Sequence, residues 1–154
     1  MALSTPEIIA KELPDTDLLV GAALHPGGRT PRLVTEAMVA SMEPGSVIVD
    51  VSIDQGGCIE TSRPTTHEVP TYVTHGVTHY GVTNMPGAYP RTSTIALTNA
   101  TLAYVLRLAE GGLDTLRHDR AFAESVNTYR GYITYRSAAE SLGLLAKYKA
   151  FENL

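Results

Sequence analysis

A chain of 154 residues suits one compact domain, and 44% hydrophobic against 18% charged residues excludes an intrinsically disordered segment. A net charge of −4 without any Lys/Arg cluster speaks against nucleic acid as a partner. One cysteine, Cys58, excludes an internal disulfide, and no basic-then-apolar leader or ~20-residue apolar run is present, so the expected location is the cytoplasm, with no membrane partner.

In chain order, Pro6–Glu12 reads as a short helix. Leu18–Leu24 is a continuous apolar run of strand length, stopped by His25-Pro26-Gly27-Gly28. From Pro31, the residues Leu33, Val34, Met38, Val39 and Met42 fall at helical spacing until Pro44-Gly45. Val47–Ile53 is rich in β-branched residues, which are stiff at χ1 and suit a pleated strand. Strand, helix, strand with apolar runs predicts a parallel sheet covered on both faces.

The stretch Gly56–His75 reads as a long irregular connection, and Thr78–Thr83 as a third strand ending in Asn84-Met85-Pro86-Gly87. Ile95, Leu97, Leu102, Val105, Leu106 and Leu108 then define a long helix ended by Gly111-Gly112. Shorter helices are predicted around Leu113–Ser125 and Tyr135–Leu142. The fold class is therefore α/β: a half-Rossmann parallel sheet of about three strands, flanking helices and a helical C-terminal tail. The expected division is 1–92 for the sheet unit and 93–154 for the long helix and tail.

Leu18–Gly27 (LLVGAALHPG), Gly45–Thr66 (GSVIVDVSIDQGGCIETSRPTT) and Val82–Thr101 (VTNMPGAYPRTSTIALTNAT) resemble the C-terminal part of alanine dehydrogenases, a family that includes the transhydrogenase NAD subunit. A weaker echo runs through Asn127–Gly143. The resemblance implies the second half of a Rossmann-type NAD domain, a connecting helix, and helices returning to a substrate domain. It also implies that the family's glycine-rich phosphate turn, its ribose-binding acid and its substrate-binding residues lie in a first half that is absent here. Gly27-Gly28 and Gly56-Gly57 are followed by no helix N-terminus placed to hold a pyrophosphate.

Asp54 stands just past the end of the Val47–Ile53 strand, where open parallel sheets place ligands. Gly56-Gly57 behind it allow close approach. By resemblance its carboxylate lies beside the nicotinamide and handles a proton, and partial burial would raise its pKa toward neutrality. The common role of such an aspartate is a turn or cap. His25 departs from the family's aliphatic residue. If the first two strands are neighbours, His25 and Asp54 could form an acid/base dyad, although a histidine in a Pro-Gly loop is more often a surface residue.

The resemblance further implies that Ala23, Leu24, Val51, Arg63, Val82, Thr83, Asn84 and Met85 line the cofactor, against a reading of ordinary packing. Arg63 could bind a carboxylate or phosphate, or form a surface ion pair. His67, His75, His79 and His118 show no ligand spacing, so no metal is expected. Cys58 reads as a small packed thiol.

Three functions compete, each with a small-molecule substrate or ligand. One is a repurposed non-redox enzyme using Asp54 for acid/base cyclisation (cyclase), isomerisation (isomerase), dehydration or imine hydrolysis of an amine, imine or carbonyl compound, without a required cofactor. The second is a split NAD-dependent dehydrogenase needing a complementary half. The third is a non-catalytic ligand-binding or interaction module. NAD alone is expected to bind weaker than ~1 mM. An apolar edge at Leu18–Leu24 predicts a homodimer or larger closed oligomer through that edge or the helix Ser93–Glu110.

Overall fold

The computed structural model describes residues 4–154; the first three residues of the predicted 1–92 unit lie outside the described residues. Two compact units are present. One ends its first stretch at His25 and resumes over Arg29–Ala88, and the other comprises Pro26–Gly28 and Tyr89–Leu154.

The first unit carries helix α1 (Pro6–Glu12), strand β1 (Leu18–Gly21), helix α2 (Glu36–Ala40) and strand β2 (Val47–Asp50). Strands β3 (Thr71–Thr74) and β4 (Val77–Tyr80) complete it. Thr5 starts α1 by accepting the Ile8 N–H on its hydroxyl, with Pro6 in the first turn, where its missing N–H costs nothing. The sheet order is β1-β2-β4-β3, parallel except for β3.

Three parallel strands therefore stand as expected, and a fourth, antiparallel one joins them from inside the stretch read as irregular. Its two-residue turn, His75-Gly76, takes positive φ at both positions (54° and 78°), as a type I′ hairpin requires. His75 is also held by Glu36 at 2.8 Å.

The predicted helix from Pro31 to Met42 is a single short one. The N–H groups of Leu33 and Val34 both donate to the Cys58 carbonyl, at 2.8 and 3.2 Å, which holds that stretch extended. The apolar spacing reflects burial instead: Val34, Val39 and Met42 enter one core with Leu13, Ile48, Cys58, Ile59 and Val77. This core covers one face of the sheet. Along β1, Leu19 packs against it, while Leu18 and Val20 point the other way and stay 57% and 54% exposed. Val73 on β3 is 66% exposed. The register aligns Leu18, Val47, Thr78 and Val73 in one row, so the expectation of cover on both faces is not met at β1 and β3.

In the second unit, helix α3 (Pro90–Arg117) runs through Gly111 and kinks at Gly112, whose φ of 55° and ψ of −148° are non-helical. The predicted stop is a break inside a longer element. Helix α4 (Arg120–Ala123) follows, capped by Asp119. Strands β5 (Thr128–Tyr129) and β6 (Tyr132–Ile133) form a hairpin absent from the sequence reading, again turned by two positive-φ residues, Arg130 and Gly131. Helix α5 (Arg136–Ser141) lies within the predicted Tyr135–Leu142. No helix among the described residues is long and apolar enough to cross a membrane.

Candidate functional site

The C-terminal ends of β1, β2 and β4 are laced together by side chains. β2 does not continue to Ile53 as predicted: after Asp50 the chain tightens into a 3-10 turn, Val51–Gln55, closed by Gly56 at φ 99°. Two bonds dock that turn on its neighbours. The Ser52 hydroxyl donates to the Ala23 carbonyl beyond β1 at 2.8 Å. The Asn84 N–H beyond β4 donates to both Asp54 carboxylate oxygens, at 3.3 and 3.2 Å. Asn84 has φ 54°, a left-handed conformation that asparagine tolerates.

Asp54 thus stands at the mouth of the parallel strands with its carboxylate held from one side. Asp54, His25, Leu24, Val51, Thr83 and Asn84 are all exposed, with Leu24 at 69% and Val51 at 50%. Together they form an exposed shelf of apolar and polar groups at the strand ends. β1 and β2 are neighbours, yet no hydrogen bond or ion pair joins His25 to Asp54 among the described residues.

The other predicted site residues divide in the same way. Ala23 and Met85 are half-buried, and Val82 is fully buried in the first unit. Arg63 does not point its charge at Asp54's partners. Its guanidinium lies 4.2 Å from the Tyr72 ring centre, and the Arg63 backbone N–H donates to the Tyr72 hydroxyl at 2.8 Å. Leu24, Val51 and Asp54 are exposed and follow the ends of β1 and β2. The described residues offer no glycine-rich strand-to-helix turn for its phosphates. Nor do they hold any group of three or more His, Cys, Asp or Glu side chains suited to a metal ion. A cleft of about 630 Å³ belongs to the second unit, and none of the predicted site residues lines it.

Asp50 and His79 are buried polar groups whose partners the sequence does not announce. Asp50, the last residue of β2, is fully buried and accepts from the N–H groups of Ser52, Cys58 and Ile59. Its signal was a carboxylate ending an apolar strand, which no solvated role explains. His79 on β4 is 1% exposed and stacks on Tyr72 at 5.0 Å. Its Nδ1 faces the Val77 carbonyl at 3.0 Å, which can only accept, so Nδ1 carries the proton and Nε2 accepts from the Thr61 hydroxyl at 2.7 Å.

Burial, reinforced by nearby His75, holds the His79 pKa below the ordinary value of 6.5. The unfolded chain therefore takes up this proton first on acidification. Stability contributed by neutral His79 is complete above about pH 6.5 and is lost as pH falls toward the folded value. NMR titration of the His79 ring should give a midpoint below 6.5; a midpoint at or above it contradicts this account. Cys58, also buried, has its thiol pKa raised by burial and then by Asp50, which fits a packed, unreactive thiol.

The family model described as alanine dehydrogenase/PNT, C-terminal domain, matches residues 1–136. An alanine dehydrogenase of Halomonas elongata is 54% identical over 142 residues, covering 92% of this chain and 38% of that protein. One from Lysinibacillus sphaericus is 54% identical over 144 residues, covering 92% and 39%. A solved L-alanine dehydrogenase superposes with a TM-score of 0.74 at 47% identity, covering 92% of this chain and 39% of that one. The chain thus spans about two fifths of the length of these relatives.

Proposed function

This chain belongs to the alanine dehydrogenase/PNT C-terminal domain family, and from that premise we propose that its strand-end shelf is the nicotinamide-facing part of an NAD-dependent alanine dehydrogenase site. A complementary alanine-dehydrogenase-type stretch supplies the phosphate cradle and the amino-acid pocket. The observation that carries the reading is Asp54: a carboxylate fixed by the Asn84 N–H at the mouth of three parallel strands, with exposed Leu24 and Val51 in the same unit. An open shelf of this kind becomes a working site when a second surface closes over it and expels water.

NAD, when bound, accepts the hydride. Leu24 and Val51 would offer the nicotinamide ring an apolar surface, and the Asp54 carboxylate would take up or return a proton. The expectation that no cofactor is needed is set aside, because a dehydrogenase requires a hydride acceptor. The non-redox reading is set aside with it, since the named relatives are alanine dehydrogenases. Val82 is assigned to packing and Arg63 to its stack on Tyr72 rather than to cofactor contact.

The test adds the N-terminal part of the Halomonas elongata enzyme, expressed without the stretch this chain matches. Alone, the chain should bind NAD weaker than ~1 mM in calorimetry. The mixture should reduce NAD with alanine as donor. Micromolar binding by the chain alone, or no alanine-dependent NADH from the mixture, defeats the reading.

Without its complement, β1 is an apolar edge strand unpaired on its outer side among the described residues, with Leu18 and Val20 exposed. Self-association to at least a dimer should follow in light scattering at micromolar concentration, and Val20→Lys should reduce it. A monomer in the unsubstituted chain contradicts this.

A further inference from the structure

Asp54 is mounted on a loop whose two ends are held by one other carboxylate. Asp50 Oδ1 accepts the Ser52 N–H at 3.1 Å, at the start of the turn, and Oδ2 accepts the Cys58 and Ile59 N–H groups at 3.0 and 3.3 Å, after it. The Cys58 thiol also reaches Oδ1 at 3.7 Å. No cation pairs with Asp50 among the described residues. Its burial is compensated by these donors alone, a task for an acceptor-only group.

The surrounding glycines are shaped to this arrangement. A Cβ on Gly57, whose φ is already +75°, would lie 2.7 Å from Asp50 Oδ2. A Cβ on Gly21 would lie 2.6 Å from Cys58 Sγ. Both positions leave out a side chain so that backbone can close around the carboxylate. With its ends tied, the loop has little freedom, and Asp54 at its centre meets the Asn84 N–H in one place.

We propose that Asp50 is a positioning residue that sets where the Asp54 carboxylate stands relative to the end of β4. This rests on the reading of Asp54 as the proton-handling group. Asparagine at position 50 would present an NH2 to backbone N–H groups that need an acceptor. The loop would loosen, and the contact between Asp54 and Asn84 would go with it.

The experiment follows the Asn84 amide by NMR as pH is lowered through the carboxylate range. In the unsubstituted chain this amide moves with the carboxylate it donates to, and Asp54→Asn abolishes the movement, which identifies the titrating group. Asp50→Asn should cut the Asn84 response by at least about half, while the amides of Ile9 and Val73 keep their shifts. Gly57→Ala, which presses on the same oxygen from the loop side, should reproduce the loss and serves if Asp50→Asn does not fold. In the complemented site, kcat of the Asp50 variant should fall roughly tenfold or more, with KM within about twofold.

An undiminished Asn84 response in either folded variant overturns the proposal. The amide readout needs no turnover, so it is separate from the activity of Asp54→Asn. If that variant remains fully active, the reading of Asp54 fails, whatever the amide shows.

Discussion

Replacing Asp54 with asparagine lowers turnover of the complemented site about 100-fold, or about 2.7 kcal/mol of transition-state stabilisation. The substitution is nearly isosteric, and an amide oxygen can still accept the Asn84 N–H that now meets the carboxylate at 3.2 and 3.3 Å. The side chain is exposed, so no buried charge is removed and the fold should survive. What is lost is the capacity to take up and return a proton. The loss should therefore appear mainly in kcat, with NAD binding by the mixture little changed. Steady-state kinetics with alanine, read beside the thermal midpoint of each variant, separates this from general damage. Retained turnover would remove Asp54 from the chemistry and leave the shelf as a docking surface.

How much of this was legible depended on whether a residue's neighbours lay nearby in sequence. β1, β2 and β4 were visible because their apolar and β-branched residues are contiguous. β3 was not: Thr71–Thr74 follows a polar, proline-bearing stretch, and its turn uses His75-Gly76 instead of the Asn-Gly or Asp-Gly pair that announces a hairpin. The helix over 31–42 was overextended because residues buried by a core of distant partners can mimic helical spacing. Asp54 drew attention through the glycines behind it, whereas Asp50, only four residues earlier, reveals its role through donors that the fold brings to it from Cys58 and Ile59. The exposure of Leu24 and Val51 could not be read at all, since an apolar residue in a sequence carries no mark of what covers it.

Gly81→Ala should destabilise the chain by roughly 1–3 kcal/mol, the usual cost of inserting a methyl group into packed structure. Gly81 is buried just beyond β4, and it needs glycine for space, not for a left-handed backbone. A Cβ there would stand 2.7 Å from the Arg63 carbonyl oxygen and 3.5 Å from Ile53 Cγ1. The first of these is backbone and cannot rotate away. It is also restrained on both sides: the Arg63 N–H donates to the Tyr72 hydroxyl, and two residues later the Thr65 N–H donates to the Gly81 carbonyl at 2.8 Å. Relief must come from moving the 63–65 and 81–84 stretches apart, against the bond from the Thr83 N–H to the Thr65 carbonyl at 3.2 Å. That displacement reaches the site from two directions, because Asn84 follows Thr83 and Ile53 precedes Asp54. The variant should show a lower urea midpoint with an unchanged m-value, together with a weaker pH response of the Asn84 amide. An unchanged midpoint would mean that the 63–65 stretch yields freely, and the end of β4 would then be too loose to place Asp54.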